Sequence, residues 1–295
     1  MTRNFLALTL LGLLSTAPVV HGSDFTATLA GDYRVMPDIV YETANGYENR
    51  LDLYLPKGDG PFPTLVFIHG GGWVGGTKES SILRLLPYLE RDMAVVNVEY
   101  RLARNSLAPA AIADCRCALR WVYAHAMEYS LDTSKIVTTG NSAGGHLSLT
   151  TGTMPKSAGF DYECTSGNPN TQLDVAAVVN WYGITDVVDL LSGPNQKRYA
   201  VRWLGSLPNR EDVARRASPI HYVREGLPPI ITIHGDADPT VPYQHAIDYH
   251  KALNKAGVEN QLVTVPGGKH GGFTSDEYRK LYKDIFAFLE KQGVL

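Results

Sequence analysis

A short segment rich in small residues, residues 140–144 (Gly-Asn-Ser-Ala-Gly), constrains the fold of this chain more than any other. An apolar run, residues 135–139, precedes it, and residues 146–150 after it suit a helix. The pattern predicts a strand, a sharp turn and a helix, with Ser142 at the tip of the turn. Glycines two positions before and after Ser142 avoid steric clashes in so tight a turn. The helix N-terminus beside the hydroxyl would favour negative charge on the serine oxygen.

Composition is that of a globular protein that binds neither nucleic acid nor an anionic surface. Of 295 residues, 44% are hydrophobic and 19% are charged, and the formal net charge is −3. No run of basic residues suggests nucleic acid or an anionic membrane as a partner. We therefore expect a small-molecule or polymer-linked substrate rather than a nucleic acid.

The N-terminus predicts export. Residues 1–22 combine a positive charge at Arg3, an apolar stretch from Phe5 to Leu14 and a run of small and polar residues that ends at Gly22. This arrangement predicts a secretory signal peptide, because the apolar stretch is too short to span a bilayer. We expect a secreted or periplasmic protein with no membrane attachment after cleavage. A retained amphipathic anchor is the alternative.

Apolar runs alternate with helical patterns along the rest of the chain. The hairpin signal Asn45-Gly46 separates two predicted antiparallel strands, residues 38–43 and 47–55. Six further strands are predicted at residues 64–68, 93–98, 135–139, 175–181, 230–233 and 261–265. Helices are predicted after Pro109, over residues 242–256 and after a capping box at Thr274. The alternation predicts an α/β fold with a mostly parallel sheet, helices on both faces and an antiparallel N-terminal hairpin, in a single domain over residues 23–295.

Two segments lack a regular pattern, residues 153–173 and 183–228, and we expect them to form insertions over the active face. Four aromatic residues in or beside the second segment could line a pocket for an aromatic group, although core positions are favoured: Trp181, Tyr182, Tyr199 and Trp203.

A run of three glycines follows the strand at residues 64–68, in His69-Gly70-Gly71-Gly72-Trp73. Consecutive glycines suit a loop whose backbone N–H groups point at a ligand. Such a loop, paired with the amide after a nucleophilic serine, forms an oxyanion hole. The expected donors are the N–H groups of Gly71, Gly72 and Ala143, whereas His69 is expected to form structural hydrogen bonds within the loop.

An acid and a histidine follow the last two predicted strands. The segment 234–242 contains Asp236 and Asp238, and we assign Asp238 as the acid that orients an imidazole. A plain turn before a helix is the alternative use of both carboxylates. His270 stands between two glycine pairs on the loop after the last strand. Ser142, Asp238 and His270 occur in the chain order of the α/β-hydrolase triad, each at the C-terminal end of a strand.

On these motifs the chain resembles the α/β-hydrolase esterases over residues 35–292. Ser142-Ala143-Gly144-Gly145 is similar to the hormone-sensitive-lipase-like group, but few residues precede the first strand where that group carries a cap. The chain looks closer to the compact esterases of the bifunctional feruloyl and acetylxylan type. That resemblance implies acetyl or feruloyl esters of plant cell-wall polysaccharide as substrates. Asn141 stands where the family often has Gly or Asp.

Other activities on the same fold are alternatives. A general short-chain carboxylesterase or lipase, an arylformamidase and a peptidase share these motifs, and some relatives of the fold are binding modules without catalysis. We expect no metal or organic cofactor, because neither the histidines nor the cysteines fall at metal-ligand spacing.

The cysteine count leaves two readings open. Cys115 and Cys117 are two residues apart on a predicted helix, so they face different directions and should not bridge each other. In an export compartment one of them can pair with Cys164, and the alternative is three free thiols.

Overall fold

A computed structural model describes residues 22–160, 164–206 and 208–295. All but the last residue of the predicted signal peptide lies outside the described residues, so its cleavage stays a prediction. The strands are β1 (Tyr33–Ala44), β2 (Tyr47–Pro56), β3 (Phe62–Ile68), β4 (Ala94–Val98), β5 (Leu131–Asn141), β6 (Ala177–Trp181), β7 (Ile230–Gly235) and β8 (Asn260–Val265). The helices are α1 (Gly22–Asp32), α2 (Leu86–Leu89), α3 (Ala110–Ala124), α4 (Ala126–Tyr129), α5 (Ala143–Thr153), α6 (Arg198–Leu204), α7 (Arg210–Arg216), α8 (Gln244–Lys255) and α9 (Ser275–Lys291).

All eight strands join one sheet in the order β1-β2-β4-β3-β5-β6-β7-β8. β1 pairs with β2 and β2 with β4 in antiparallel fashion, whereas every pair from β4–β3 to β7–β8 is parallel. Asn45 and Gly46 both have positive φ, 54° and 74°, as a two-residue hairpin turn requires. The predicted mostly parallel sheet with an antiparallel N-terminal hairpin is confirmed.

Helices cover both faces of the sheet, and each face carries its own apolar core. One core packs α3, α5 and α8 against the sheet, with Leu119, Leu147 and Leu253 fully buried. The other packs α9 and α2 against the opposite face, with Ile285 and Leu289 fully buried. Parallel strands buried on both faces are continuous apolar runs, which is why the sequence pattern identified them.

The structure contains helices that the sequence pattern did not predict, among them α1, α6 and α7. α6 and α7, of seven residues each, lie in the segment without a regular pattern. Helices this short do not complete the periodic apolar stripe that identifies a helix in a sequence. Across the described ranges, no helix is both long and apolar enough to cross a membrane.

A disulfide joins Cys117 of α3 to Cys164, and Cys115 is a free, buried thiol. The residues after Cys164 bind the edge hairpin, because the Thr165 amide donates to the Glu42 carboxylate at 2.6 Å and the Ser166 hydroxyl donates to the Tyr41 carbonyl at 3.0 Å. The sequence left open a disulfide to Cys164 or three free thiols, and the structure contains the disulfide.

Candidate active site

Ser142 lies at the junction of β5 and α5, with a backbone conformation that residues other than glycine rarely adopt. Its backbone has φ 59° and ψ −120°. Two backbone hydrogen bonds hold it there: its amide donates to the Trp181 carbonyl at 2.9 Å, and its carbonyl accepts from the His146 amide at 3.0 Å. Such strained residues persist only where the surrounding structure holds them, and they concentrate at functional sites.

Gly144 allows the start of α5 to lie directly against the end of β3. A Cβ atom on Gly144 would lie 2.1 Å from the Ile68 carbonyl oxygen and 2.6 Å from the His69 carbonyl oxygen. These neighbours are backbone atoms that cannot move aside, so only glycine fits. The close approach brings the Ala143 amide beside the segment that begins at His69, residues 69–73, called the glycine loop below.

A continuous hydrogen-bonded chain joins the three predicted side chains. The Ser142 hydroxyl lies 2.8 Å from Nε2 of His270, and Nδ1 of His270 lies 2.7 Å from Oδ2 of Asp238. The three residues follow β5, β8 and β7, so all stand at the C-terminal edge of the sheet. The His270 side chain is 20% exposed, whereas the Asp238 side chain has no exposed surface. A small molecule can therefore reach the His270 imidazole, whereas the Asp238 carboxylate is shielded from solvent.

The segment 234–242, called the acid loop below, surrounds the Asp238 carboxylate with donors. Oδ1 accepts from the amides of Thr240 at 2.7 Å and Val241 at 3.1 Å. Oδ2 lies 2.7 Å from His270 and 3.2 Å from Nε2 of His234. Burial would raise the pKa of Asp238, but the hydrogen bonds from His234 and His270 outweigh it and hold that pKa well below its usual range. Asp238 is therefore an anion at neutral pH.

Asp236, the competing carboxylate of the acid loop, serves the backbone. Its side chain accepts from the Gly267 amide at 2.7 Å, and the residue is exposed. It thereby ties the loop after β7 to the loop after β8, while Asp238 contacts the imidazole.

The glycine loop holds amides with no backbone partner. Gly71 has φ 122°, and a Cβ there would lie 1.9 Å from the Gly75 carbonyl oxygen. Within the described part of the chain, the N–H groups of Gly71 and Gly72 donate to no backbone carbonyl. Ala143 is the first residue of α5, so its N–H has no acceptor one turn earlier in the helix. These are the three amides that we predicted from the sequence as donors to the oxyanion.

Buried rings fix the glycine loop in place, a feature that the sequence analysis missed. Trp73 has no exposed surface, stacks on Trp203 with ring centres 4.2 Å apart, and donates its indole N–H to Nδ1 of His146 at 3.2 Å. Nε2 of His146 donates to the Ala217 carbonyl at 2.7 Å, which leaves Nδ1 free to accept. Burial lowers the pKa of His146 to about 4, although the Ala217 carbonyl partly opposes that shift. A neutral imidazole thus links the loop to α5.

His69 and three of the four candidate aromatic residues are structural. Nδ1 of His69 lies 2.7 Å from the Gly70 carbonyl oxygen, and its ring stacks on Tyr100. The predicted core positions are buried: Trp181, Tyr182 and Trp203.

Tyr199 of α6 differs from those three, because it is half-buried and touches both loops. Its hydroxyl donates to the Thr240 carbonyl of the acid loop at 3.1 Å. Its Cβ lies 2.9 Å from the position that a Cβ on Gly72 would occupy. Tyr199 therefore packs at the edge of the core, where it also contacts the glycine loop and the acid loop.

No group of three or more His, Cys, Asp or Glu side chains in the described ranges is arranged to hold a metal ion. The groups gathered at this edge of the sheet are instead a hydroxyl, an imidazole, a carboxylate and free amides. That set suits attack by an oxygen nucleophile on a carbonyl carbon.

Comparisons with known proteins identify the family of this chain. Residues 51–253, more than half of the chain, match the family model BD-FAE. Esterase LipC of Mycobacterium tuberculosis is 31% identical over 72% of this chain and 53% of that protein, and the Arabidopsis thaliana isoprenylcysteine alpha-carbonyl methylesterase ICME is 26% identical over 83% and 60%. The chain spans about half the length of LipC and of the other curated relatives that it matches first.

Solved structures match over nearly their whole length. A truncated carbohydrate esterase from gut microbiota is 29% identical with a TM-score of 0.76, over 90% of this chain and 98% of that one. The apo form of Thermogutta terrifontis esterase 2 is 30% identical with a TM-score of 0.73, over 90% and 96%. Both the α/β-hydrolase fold and the resemblance drawn from the motifs are confirmed. By the family model that covers most of its sheet, the chain belongs to the BD-FAE family, the bifunctional feruloyl and acetylxylan esterase type.

Proposed function

We propose that this protein is a serine carboxylic ester hydrolase that works through an acyl-enzyme on Ser142. The observation that carries the proposal is the unbroken chain of short hydrogen bonds from Ser142 through His270 to the buried Asp238 carboxylate. A hydroxyl, a base and an orienting acid in that order are the parts that acyl transfer needs. The names of the relatives, esterases and carboxylic ester hydrolases, support the same reaction.

Each group has one task in the proposed reaction. His270 Nε2 takes the proton of Ser142 as Oγ attacks the ester carbonyl carbon, and Asp238 stabilises the resulting imidazolium. The N–H groups of Gly71, Gly72 and Ala143 bind the negative oxygen of the tetrahedral intermediate. His270 then returns the proton to the leaving alcohol. Water repeats the sequence on the acyl-enzyme and releases the carboxylic acid.

Covalent labelling tests the nucleophile. A fluorophosphonate should modify wild-type protein once, at Ser142, as the organophosphate-modified forms of Thermogutta terrifontis esterase 2 suggest. Ser142→Ala should lose the label and lower kcat on a short p-nitrophenyl ester by about 10⁴-fold or more. Ser148→Ala is the control, because Ser148 lies in the same helix with its hydroxyl bonded to the Gly145 carbonyl. Normal turnover in Ser142→Ala would refute the proposal.

For the substrate, we propose acetyl or feruloyl esters of plant cell-wall polysaccharide. Family membership supports this class, as does the carbohydrate esterase among the structural matches. Rates on acetylated xylan, methyl ferulate, p-nitrophenyl butyrate and a p-nitroanilide separate the candidates. Higher kcat/KM on either of the first two supports the polysaccharide class. Preference for the butyrate would instead favour a general short-chain carboxylesterase, and anilide cleavage a peptidase or amidase.

We also propose that the protein is exported. The Cys117–Cys164 disulfide supports an oxidising compartment, because such bonds are rare in reducing cytosol. Sequencing the N-terminus of protein recovered outside the cytoplasm should show a start near residue 23. A start at Met1 would contradict cleavage of the signal peptide, and three reactive thiols in denatured protein without reductant would remove the disulfide as support for an oxidising compartment.

A further inference from the structure

The Asp238 carboxylate lies between two imidazoles. Oδ2 is 2.7 Å from Nδ1 of His270 and 3.2 Å from Nε2 of His234, so the same oxygen faces both rings. The proposed reaction requires only the contact with His270. The contact with His234 therefore needs a separate explanation.

His234 faces two hydrogen-bond acceptors, Oδ2 of Asp238 and a backbone carbonyl, so its Nε2 serves as a donor. The residue is the last but one of β7, is fully buried, and has Nε2 3.2 Å from the Val241 carbonyl oxygen as well. Nδ1 has no hydrogen-bond partner among the described residues. Because both nearby acceptors face Nε2, the ring proton is placed on Nε2, where it is shared between the carboxylate and the carbonyl.

We propose that His234 is a positioning residue for the proposed hydrolysis: its N–H holds Oδ2 of Asp238 toward His270 and sets the pH range in which His270 can act as a base. This inference rests on the proposed function. A donor on a carboxylate draws charge away from the other bonds that the carboxylate makes. His234 would thus moderate the pull of Asp238 on the His270 proton, while fixing the carboxylate in the plane that the imidazole needs.

The hydrogen bond from His234 favours the charged form of Asp238. The hydrogen bond from His234 contributes to holding the pKa of Asp238 below its usual range, together with the bond from His270 and against the effect of burial. Other titratable groups face this cluster from neighbouring elements, and a variant that tests the inference must leave them unchanged. They are Tyr182 and Tyr199, which face Asp238, Tyr243, which packs against the His234 ring, and His245 with its partners Asp189 and Asp186.

Two amide replacements that differ only in reach test the inference. In His234→Gln the amide nitrogen can occupy the place of Nε2 and still donate to Asp238, whereas in His234→Asn it is too short. We expect the Asn variant to move the acid limb of the kcat/KM profile to higher pH by about half a unit or more, because Asp238 then holds the His270 proton more strongly. Its plateau kcat/KM should fall about 10-fold or more through the less fixed imidazole. The Gln variant should restore both values toward wild type.

His250→Asn is the matched control. His250 is also a buried histidine, on α8, and its Nδ1 binds Oδ1 of Asn260 at 2.7 Å. Its replacement should lower the melting temperature and leave the pH profile unchanged.

Equal profiles for His234→Asn and His234→Gln, whatever their melting temperatures, would show a purely structural role and overturn the inference. The same assays separate it from the proposed function. Wild-type protein that neither hydrolyses esters nor takes a fluorophosphonate on Ser142 refutes both, whereas active wild type with indistinguishable variants refutes only the role of His234.

Discussion

The glycine loop and the acid loop supply the two halves of the site, and they are held by different forces. The glycine loop has free amides and is fixed by the packing of the Trp73 ring against Trp203 and His146. The acid loop is fixed by charge, because four donors surround the two oxygens of Asp238. Packing suits a loop in which the N–H groups of Gly71 and Gly72 must stay unpaired until substrate arrives, because it holds the loop without occupying those two donors.

Because the two loops are held differently, we expect substitutions in them to change the reaction rate in different ways. Damage to the acid loop should change protonation, and with it the pH dependence of the rate. Damage to the glycine loop should lower the rate equally at every pH. Four substitutions can break or sharpen the distinction.

The largest effect is expected from Asp238→Asn. An amide keeps the shape of the side chain but favours the wrong tautomer of His270, so kcat should fall by about 10⁴-fold at neutral pH. The measurement is the pH profile of kcat on a short p-nitrophenyl ester. Asp236→Asn is the control, because its side-chain oxygen can still accept from Gly267. Equal losses in the two variants would contradict the assignment of the acid.

Gly71→Ala should come next. The added Cβ would meet the Gly75 carbonyl oxygen at 1.9 Å, so the loop must move and its amides with it. We expect kcat to fall by about 10²–10³-fold with KM little changed and no shift of the pH profile. Gly159→Ala shares the positive φ, 73°, with open space around the new Cβ, and should cost only about 1 kcal/mol of stability. A changed pH profile in Gly71→Ala would break the contrast.

The pH dependence of stability tests the anchor of the glycine loop. Because the folded pKa of His146, about 4, lies below the ordinary value of 6.5, the unfolded chain binds a proton first as pH falls. Stability from this group is complete above pH 6.5 and is lost as pH falls toward 4. Urea unfolding at pH 7.5 and 4.5 should show wild type losing about 2–3 kcal/mol more than His146→Gln, which cannot titrate. Equal losses would mean that His146 is not held neutral.

The smallest effect is expected from Tyr199→Phe. This change removes the bond from the Tyr199 hydroxyl to the Thr240 carbonyl, which connects α6 to the acid loop. Such a bond contributes about 1 kcal/mol, so kcat/KM should fall about fivefold. Tyr222→Phe is matched, because its hydroxyl also binds a backbone carbonyl, that of Arg216 at 2.8 Å. A loss in Tyr222→Phe as large as that in Tyr199→Phe would show that the effect is not specific to the loop contact.

The sequence predicted the sheet and the three-residue constellation because both depend on local patterns. Apolar runs mark strands buried on both faces, and the glycines around Ser142 mark the turn. The pairing of Cys117 rather than Cys115 could not be predicted in the same way. α3 is buried on nearly all sides, so its pattern shows no single solvent face from which to decide which thiol reaches Cys164.

The contact between Trp73 and His146 depends on tertiary proximity alone, whereas His234 meets Asp238 within one loop, four residues further along the chain. The indole of Trp73 reaches His146 across 73 positions of the chain, and no periodicity reports such a meeting. The only available signal was position, since each histidine adjoins a motif that already carried a site residue. His234 opens the acid loop, and His146 follows the glycines after Ser142.

The hydrogen bond between Ser142 and His270 joins residues 128 positions apart, with β6, β7 and β8 completed between them. The proposed catalysis thus depends on segments that meet only when the last parallel strand has docked. Recovery of turnover after dilution from denaturant would consequently report the end of refolding, later than the return of helical circular dichroism. Ester hydrolysis would thus measure the fraction of molecules that have reached the complete native structure.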